Sequence, residues 1–168
     1  MSARRKAAVS PAISIQVHDP RWKSSLRPYC REVREACEAA LVAGLGKRRA
    51  YEITVVLAGD SFIRELNKTY RGKNKATNVL SFPNPDFSPA TNHQLLPTHL
   101  GDIVLAYDTI AREAKAQRKT FRAHAVHMLV HGVLHLAGFD HAREKDAETM
   151  EALEIKILKK LNVSNPYL

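Results

Sequence analysis

At 168 residues, 45% of them hydrophobic, the chain is long enough to bury a core without disulfide staples, and one domain over residues 11–168 is expected. No apolar run approaches the ~20 residues of a membrane span, which excludes a transmembrane helix. The formal net charge of +9, from 26 Lys and Arg against 17 Asp and Glu, points to a polyanionic partner, nucleic acid first and an anionic membrane second.

The basic start, Met1 to Lys6, lacks the apolar centre of a secretory signal, so residues 1–10 read as a disordered extension. Ile13 to Val17 alternates apolar and polar residues as a half-buried strand does. From about Trp22 to Val42 the positions Leu26, Val33, Cys37, Ala40 and Leu41 recur at helical spacing, and Gly44 and Gly46 signal a stop. Cys30 and Cys37 in that stretch are the only cysteines, no disulfide framework, which suits a reducing cytoplasm.

Tyr51 to Ala58, short and rich in β-branched residues, predicts a second strand. Asp60 or Ser61 would then cap a helix over Phe62 to Tyr70. A basic loop follows, and Arg71, Lys73 and Lys75 around Gly72 form either a phosphate-holding group or a solvated turn. Asn78 to Phe82 reads as a strand. Ser81 to Leu100 carries four prolines and little periodicity, so a long loop is expected, with His93 and His99 solvated in it.

Gly101 to Ala106 predicts a further strand with Asp102 as a turn residue at its start, and Tyr107 to Gln117 a helix. A last amphipathic helix has the seam Met150, Leu153, Ile157 and Leu161. Its acids (Glu144, Asp146, Glu148) come early and its lysines (Lys156, Lys159, Lys160) late, as the helix dipole prefers.

Between these lies Phe121 to Ala137, apolar on nearly every side and therefore expected as a buried central helix. Five of the chain's eight histidines fall between His124 and His141. His131, His135 and His141 have the spacing HxxxHxxGxxH. Residues four apart share a helix face and lie roughly 6 Å apart along the axis, so His131 and His135 can reach one metal ion. Gly138 stands where a helix most often stops, so the chain can turn back and bring His141 as a third ligand. Three imidazoles with an open fourth position describe a catalytic zinc site, one ion per chain, although nickel, cobalt or copper would also be accepted. His127, one turn before His131, is close enough to support a ligand, and His124 reads as structural. The spacing matches the metzincin peptidase pattern, but Gly132 occupies the position of the general-base glutamate, so a peptide substrate is disfavoured.

The run His131-Gly-Val-Leu-His135-Leu-Ala-Gly138-Phe-Asp140-His141 resembles the HGxLHLxGYDH signature of the YbeY-type endoribonucleases. Leu66-Asn67, Tyr70-Arg71-Gly-Lys and Thr77-Asn78-Val-Leu-Ser-Phe-Pro83 are similar to that family's second block. Leu100-Gly-Asp102-Ile and Met150-Glu-Ala-Leu-Glu154 are similar to two more, all in order from about Glu65 onward. Many members carry aspartate where Asn78 stands, and Asn78 is assigned no role. The resemblance implies an α+β fold, a small mixed sheet of about four strands with helices packed on it. It implies a zinc-dependent, single-strand-specific endoribonuclease of the cytoplasm. Its substrate would be precursor ribosomal RNA, notably the 3′ end of the small-subunit RNA. It would work with the ribosome's small subunit, in maturation and quality control. On that resemblance the zinc ligands are His131, His135 and His141, and the essential arginine is Arg71.

The chemistry is consistent. Zinc on neutral imidazoles brings its water to a pKa of ~7, and an arginine suits the charge that develops on a phosphate in the transition state. Two other readings stand beside this one: a zinc peptidase, and an RNA- or ribosome-binding protein whose zinc is closed by a fourth ligand. Asp140 is the first suspect for that fourth ligand; otherwise it shapes the turn.

Overall fold

Alternating and β-branched stretches give the strands, and in the computed structural model, which describes residues 10–47, 50–88 and 97–168, these assemble into one four-stranded mixed sheet. In chain order the elements are β1 (Ala12–Val17), α1 (Arg21–Ser25), α2 (Tyr29–Leu45), β2 (Tyr51–Ala58), α3 (Asp60–Arg71), β3 (Val79–Pro83), β4 (Thr98–Ala106), α4 (Tyr107–Ala116), α5 (Phe121–Leu136) and α6 (Glu144–Lys160). The strand order is β1-β2-β4-β3, with β1 and β4 parallel to β2 and β3 antiparallel on the edge of β4. The expected α+β class, sheet size and central histidine helix are all found. The expected extension over 1–10 lies outside the described residues save for Ser10, as does His93.

Strand periodicity divides the sheet into two faces. Ile13, Ile53, Val55, Leu57, Ile103 and Leu105 join α2, α5 and α6 in the main core. On the opposite face Val56, Leu80, Val104 and Ala106 pack with Ile63 of α3. At the edge, Leu80 therefore faces α3, while its neighbours Val79 and Ser81 approach Gly132 of α5.

Three expectations are corrected. The helix expected from Trp22 to Val42 is broken into α1 and α2, because Pro28 has no N–H to donate and disfavours helical geometry in the residue before it. The break lets Trp22 turn fully inward, where its Nε1 donates to the Ala58 carbonyl at 2.9 Å.

β4 begins at Thr98 rather than Gly101, since Leu100 is fully buried and Thr98 and His99 pair with Tyr51 and Glu52. The proline-rich loop is correspondingly shorter. Asp102 is consequently no turn residue: it sits within β4 opposite Thr54 and Phe82, with His99 Nε2 3.4 Å from its Oδ1. Finally, the N-cap of α3 is Gly59, with no side-chain cap. The Asp60 carboxylate instead accepts from the Thr109 N–H at 2.9 Å and hydroxyl at 2.8 Å, tying α3 to α4.

Candidate metal centre

α5 starts where the Thr120 hydroxyl oxygen accepts from the Ala123 N–H at 3.1 Å, a side-chain N-cap. Its apolar residues are buried all round, against α2, α4, α6, β3 and β4. Contact with the sheet is closest at Gly132. A Cβ there would lie 3.0 Å from Ile103 Cγ2, 3.1 Å from Ser81 Oγ and 3.3 Å from Val79 Cγ2. The position at which a metzincin carries its glutamate is thus packed closely on β3 and β4, so that a Cβ there would need these side chains to give by a few tenths of an ångström. The packing adds to the sequence argument against a peptidase.

α5 closes as the sequence suggests. Gly138 takes a φ of 96°, and the Gly138 and Phe139 N–H groups donate to the carbonyls of His135 and Leu134. This turn brings His141 round: ring centroids are 4.6 Å apart for His131 and His135, 5.0 Å for His135 and His141, and 5.4 Å for His131 and His141. One nitrogen from each of the three lies within 4.8 Å of the others, a group able to hold a metal ion. Asp140 is outside it, because its Oδ1 accepts from the His141 N–H at 2.8 Å and so shapes the turn.

Hydrogen bonding fixes which nitrogens are available. His131 Nδ1 is 2.7 Å from Glu154 Oε1, and His135 Nδ1 is 3.0 Å from the Phe139 carbonyl oxygen. Both partners only accept, so both Nδ1 atoms carry hydrogen and both Nε2 atoms of the neutral rings present bare lone pairs. These Nε2 atoms are 3.1 Å apart. Two lone pairs that close repel unless a cation lies between them, so the donor set fits a metal ion. Burial, then the charges of His131 and His141, push the pKa of His135 down, which favours the neutral, ligating form.

Sequence reasoning passes over Glu154 as a site residue. It is completely buried in the apolar seam of α6, between Met150 and Ile157. Burial alone would push its pKa up, but hydrogen bonds from His127, His131 and Tyr167 outweigh that and bring it down to about 2. The signal was present, as a glutamate at a core position of a helix needs a partner. His127, expected close enough to support a ligand, meets this same carboxylate, with Nε2 2.9 Å from Oε2. His124, expected to be structural, is buried against Glu113 Oε2 at 2.7 Å, an oxygen that also accepts from Asn78 Nδ2 at 3.0 Å.

The three histidines open into a cleft of about 570 Å³ whose walls include Arg71, Thr77, Asn78, Ser81 and Asp140. Arg71 is the exposed last residue of α3, and among the described residues its side chain has no ion-pair partner. The loop after it is held down by buried Asn67, whose Nδ2 donates to the Lys75 carbonyl at 2.8 Å, and by Arg64, whose Nε donates to Asn74 Oδ1 at 2.8 Å. All four residues singled out from the sequence therefore meet in one cleft.

Comparison with known proteins agrees. The sequence model of the family described as Endoribonuclease YbeY matches residues 15–162. The Endoribonuclease YbeY of Rhizobium meliloti (strain 1021) is 41% identical over 163 residues, 95% of each chain. That of Paracoccus denitrificans (strain Pd 1222) is 43% identical over 171 residues, covering 99% of this chain and 96% of its own. A Thermotoga maritima protein solved in solution shares the fold, with a TM-score of 0.53 at 21% identity over 89% of this chain and 91% of its own. With a match across nearly its whole length and a histidine cluster formed from the signature residues, this chain belongs to the endoribonuclease YbeY family.

Proposed function

We propose that this cleft is where the chain, as a member of an endoribonuclease family, cleaves single-stranded RNA, with zinc held by His131, His135 and His141 and with Arg71 binding the scissile phosphate. The observation that carries this reading is the opening of the three histidines, and of an arginine with no ion-pair partner among the described residues, into the same cleft. When bound, zinc would make hydroxide available near neutral pH and polarise a phosphoryl oxygen. The chain's own residues do the rest. Glu154 and the Phe139 carbonyl keep the Nδ1 hydrogens of His131 and His135 turned away from the cleft. The guanidinium of Arg71 offers paired N–H donors to phosphate oxygens as negative charge grows on them. The +9 charge of the chain holds the backbone of the RNA, with affinity that falls steeply as salt rises.

Precursor ribosomal RNA, in particular the 3′ end of the small-subunit RNA, is the substrate we favour, with the small ribosomal subunit as partner and the cytoplasm as the place of action. This rests on the resemblance of the signature blocks and on the basic charge. Among the described residues, no helix is long and apolar enough to cross a membrane.

The test is cleavage of a labelled single-stranded RNA beside its duplex, with zinc and with a chelator. Cleavage of the single strand only, abolished by the chelator, is expected; turnover of peptide without RNA cleavage would overturn the reading. In the same assay Arg71→Ala should lower kcat by roughly 10²- to 10³-fold, the usual cost of removing one donor to a developing oxyanion. Because Arg71 is exposed, the variant should keep its fold and its metal. Wild-type cleavage by a folded, zinc-loaded Arg71→Ala would remove Arg71 from the mechanism.

A further inference from the structure

We propose that Glu154, steadied by Tyr167 from the segment after α6, is the positioning residue of the metal centre: it holds His131 in the tautomer and orientation that present Nε2 to the ion. The inference rests on the reading of the three histidines as metal ligands and names what keeps them in place.

A carboxylate with no exposed surface is a poor choice for folding alone. Taking a charge out of water costs several kcal/mol, and an apolar residue of similar size at such a site is often neutral or stabilising. Met150 and Ile157, the neighbours of Glu154 along the seam, are the apolar residues that site would otherwise attract. Here, however, three donors converge on one side chain. His131 Nδ1 donates to Oε1 at 2.7 Å, while His127 Nε2, at 2.9 Å, and the Tyr167 hydroxyl donate to Oε2.

The two oxygens have separate tasks. Oε1 faces the ligand. Oε2 is occupied by His127 and Tyr167, so the carboxylate can neither rotate nor shift without leaving two donors unpaired. His127 has no competing role, since its Nδ1 is buried without a hydrogen-bond partner among the described residues. Tyr167 is in turn held by its ring and through its neighbour Pro166. Its ring lies edge-on to that of His127, centroids 5.6 Å apart, and the carbonyl of Pro166 accepts from Lys119 Nζ at 2.7 Å. A negative charge on the far nitrogen of a ligating imidazole also makes the near nitrogen a better donor to a metal.

Zinc affinity, measured by competition with a chromogenic chelator, tests this on wild type, Glu154→Gln and Tyr167→Phe, with circular dichroism as the check on folding. Glutamine keeps the shape, loses the charge and turns an N–H₂ toward a donor. Affinity should fall roughly 10- to 100-fold for Glu154→Gln, as for other outer partners of ligating histidines, and roughly three- to tenfold for Tyr167→Phe, the worth of one hydrogen bond. The cobalt-substituted proteins should differ in their visible spectra in the same order, a readout that a merely structural glutamate would not move. A folded Glu154→Gln that binds zinc within about twofold of wild type would overturn the inference and leave the metal site standing. If Glu154→Gln does not fold, Tyr167→Phe decides, and unchanged affinity and spectrum there would overturn it equally. Wild type that takes up no zinc would instead remove the metal reading, and this inference with it.

Discussion

His135→Ala should lose its metal and its RNA cleavage together. Wild type is expected to carry about one zinc per chain, and the variant close to none by elemental analysis after dialysis. Cleavage of labelled single-stranded RNA should fall on the order of 10³-fold or more, since a bound ion supplies several kcal/mol of transition-state stabilisation and each 1.36 kcal/mol is tenfold. The effect is large because the site has no spare ligand. Among the described residues the metal-capable group consists of three histidines only, and Asp140 is engaged by the His141 amide. Nor can His131 compensate, since its Nδ1 is committed to Glu154. Alanine is a strong helix former, and His135 is only half-buried near the end of α5, so the fold should survive, which circular dichroism checks. Metal retained by the variant, with no RNA cleavage by wild type, would favour a binding protein with a structural ion.

Gly101→Ala should be the costliest small substitution for stability, at roughly 2–6 kcal/mol, as backbone strain and overpacking add. Gly101 has a φ of 136°, a conformation L residues rarely adopt, and a Cβ there would lie 2.1 Å from the Phe82 carbonyl oxygen. The obstacle is the backbone of β3, as the Phe82 carbonyl carbon and Pro83 Cα are also each 3.0 Å away, so no side-chain rotation can relieve it. The conformation is imposed by a bulge. The register of β4 on β2 shifts between Glu52 and Ile53, so that Glu52 pairs with His99 and Ile53 with Gly101. On its other edge Gly101 pairs with Pro83, which lines the cleft. A thermal melt of the metal-free protein should show the midpoint lowered by roughly 5–20 °C, at 2–4 °C per kcal/mol for a chain of this size. An unchanged midpoint would mean that the bulge can be remade without the glycine.

What was legible in the sequence follows from how far apart the interacting residues lie along the chain. His131, His135 and the Gly138 turn are a local pattern, decided by helix periodicity and one C-cap, and the structure forms it as written. The break at Pro28 was also local, and could have been read from the proline's missing N–H. The start of β4 was not, because Thr98 and His99 become strand only by pairing with Tyr51 and Glu52, far back in the chain. Glu154 and Tyr167 were the hardest. Their partners are His127 and His131 on another helix, and nothing in α6 itself says which histidine a seam glutamate will meet. The odd residue in an apolar seam was the trace it left.

α5 is packed against α2, α4, α6, β3 and β4, and only its first turn and the two cleft-facing histidines reach the surface. The amide hydrogens of its buried middle should therefore exchange with deuterium only when the core opens globally. An ion bound at His131 and His135 would raise the free energy of that global opening, by about 2.7 kcal/mol at a hundred times its dissociation constant. Metal supply would then set how long the native chain resists opening, and so its lifetime against proteases, as well as how fast it works.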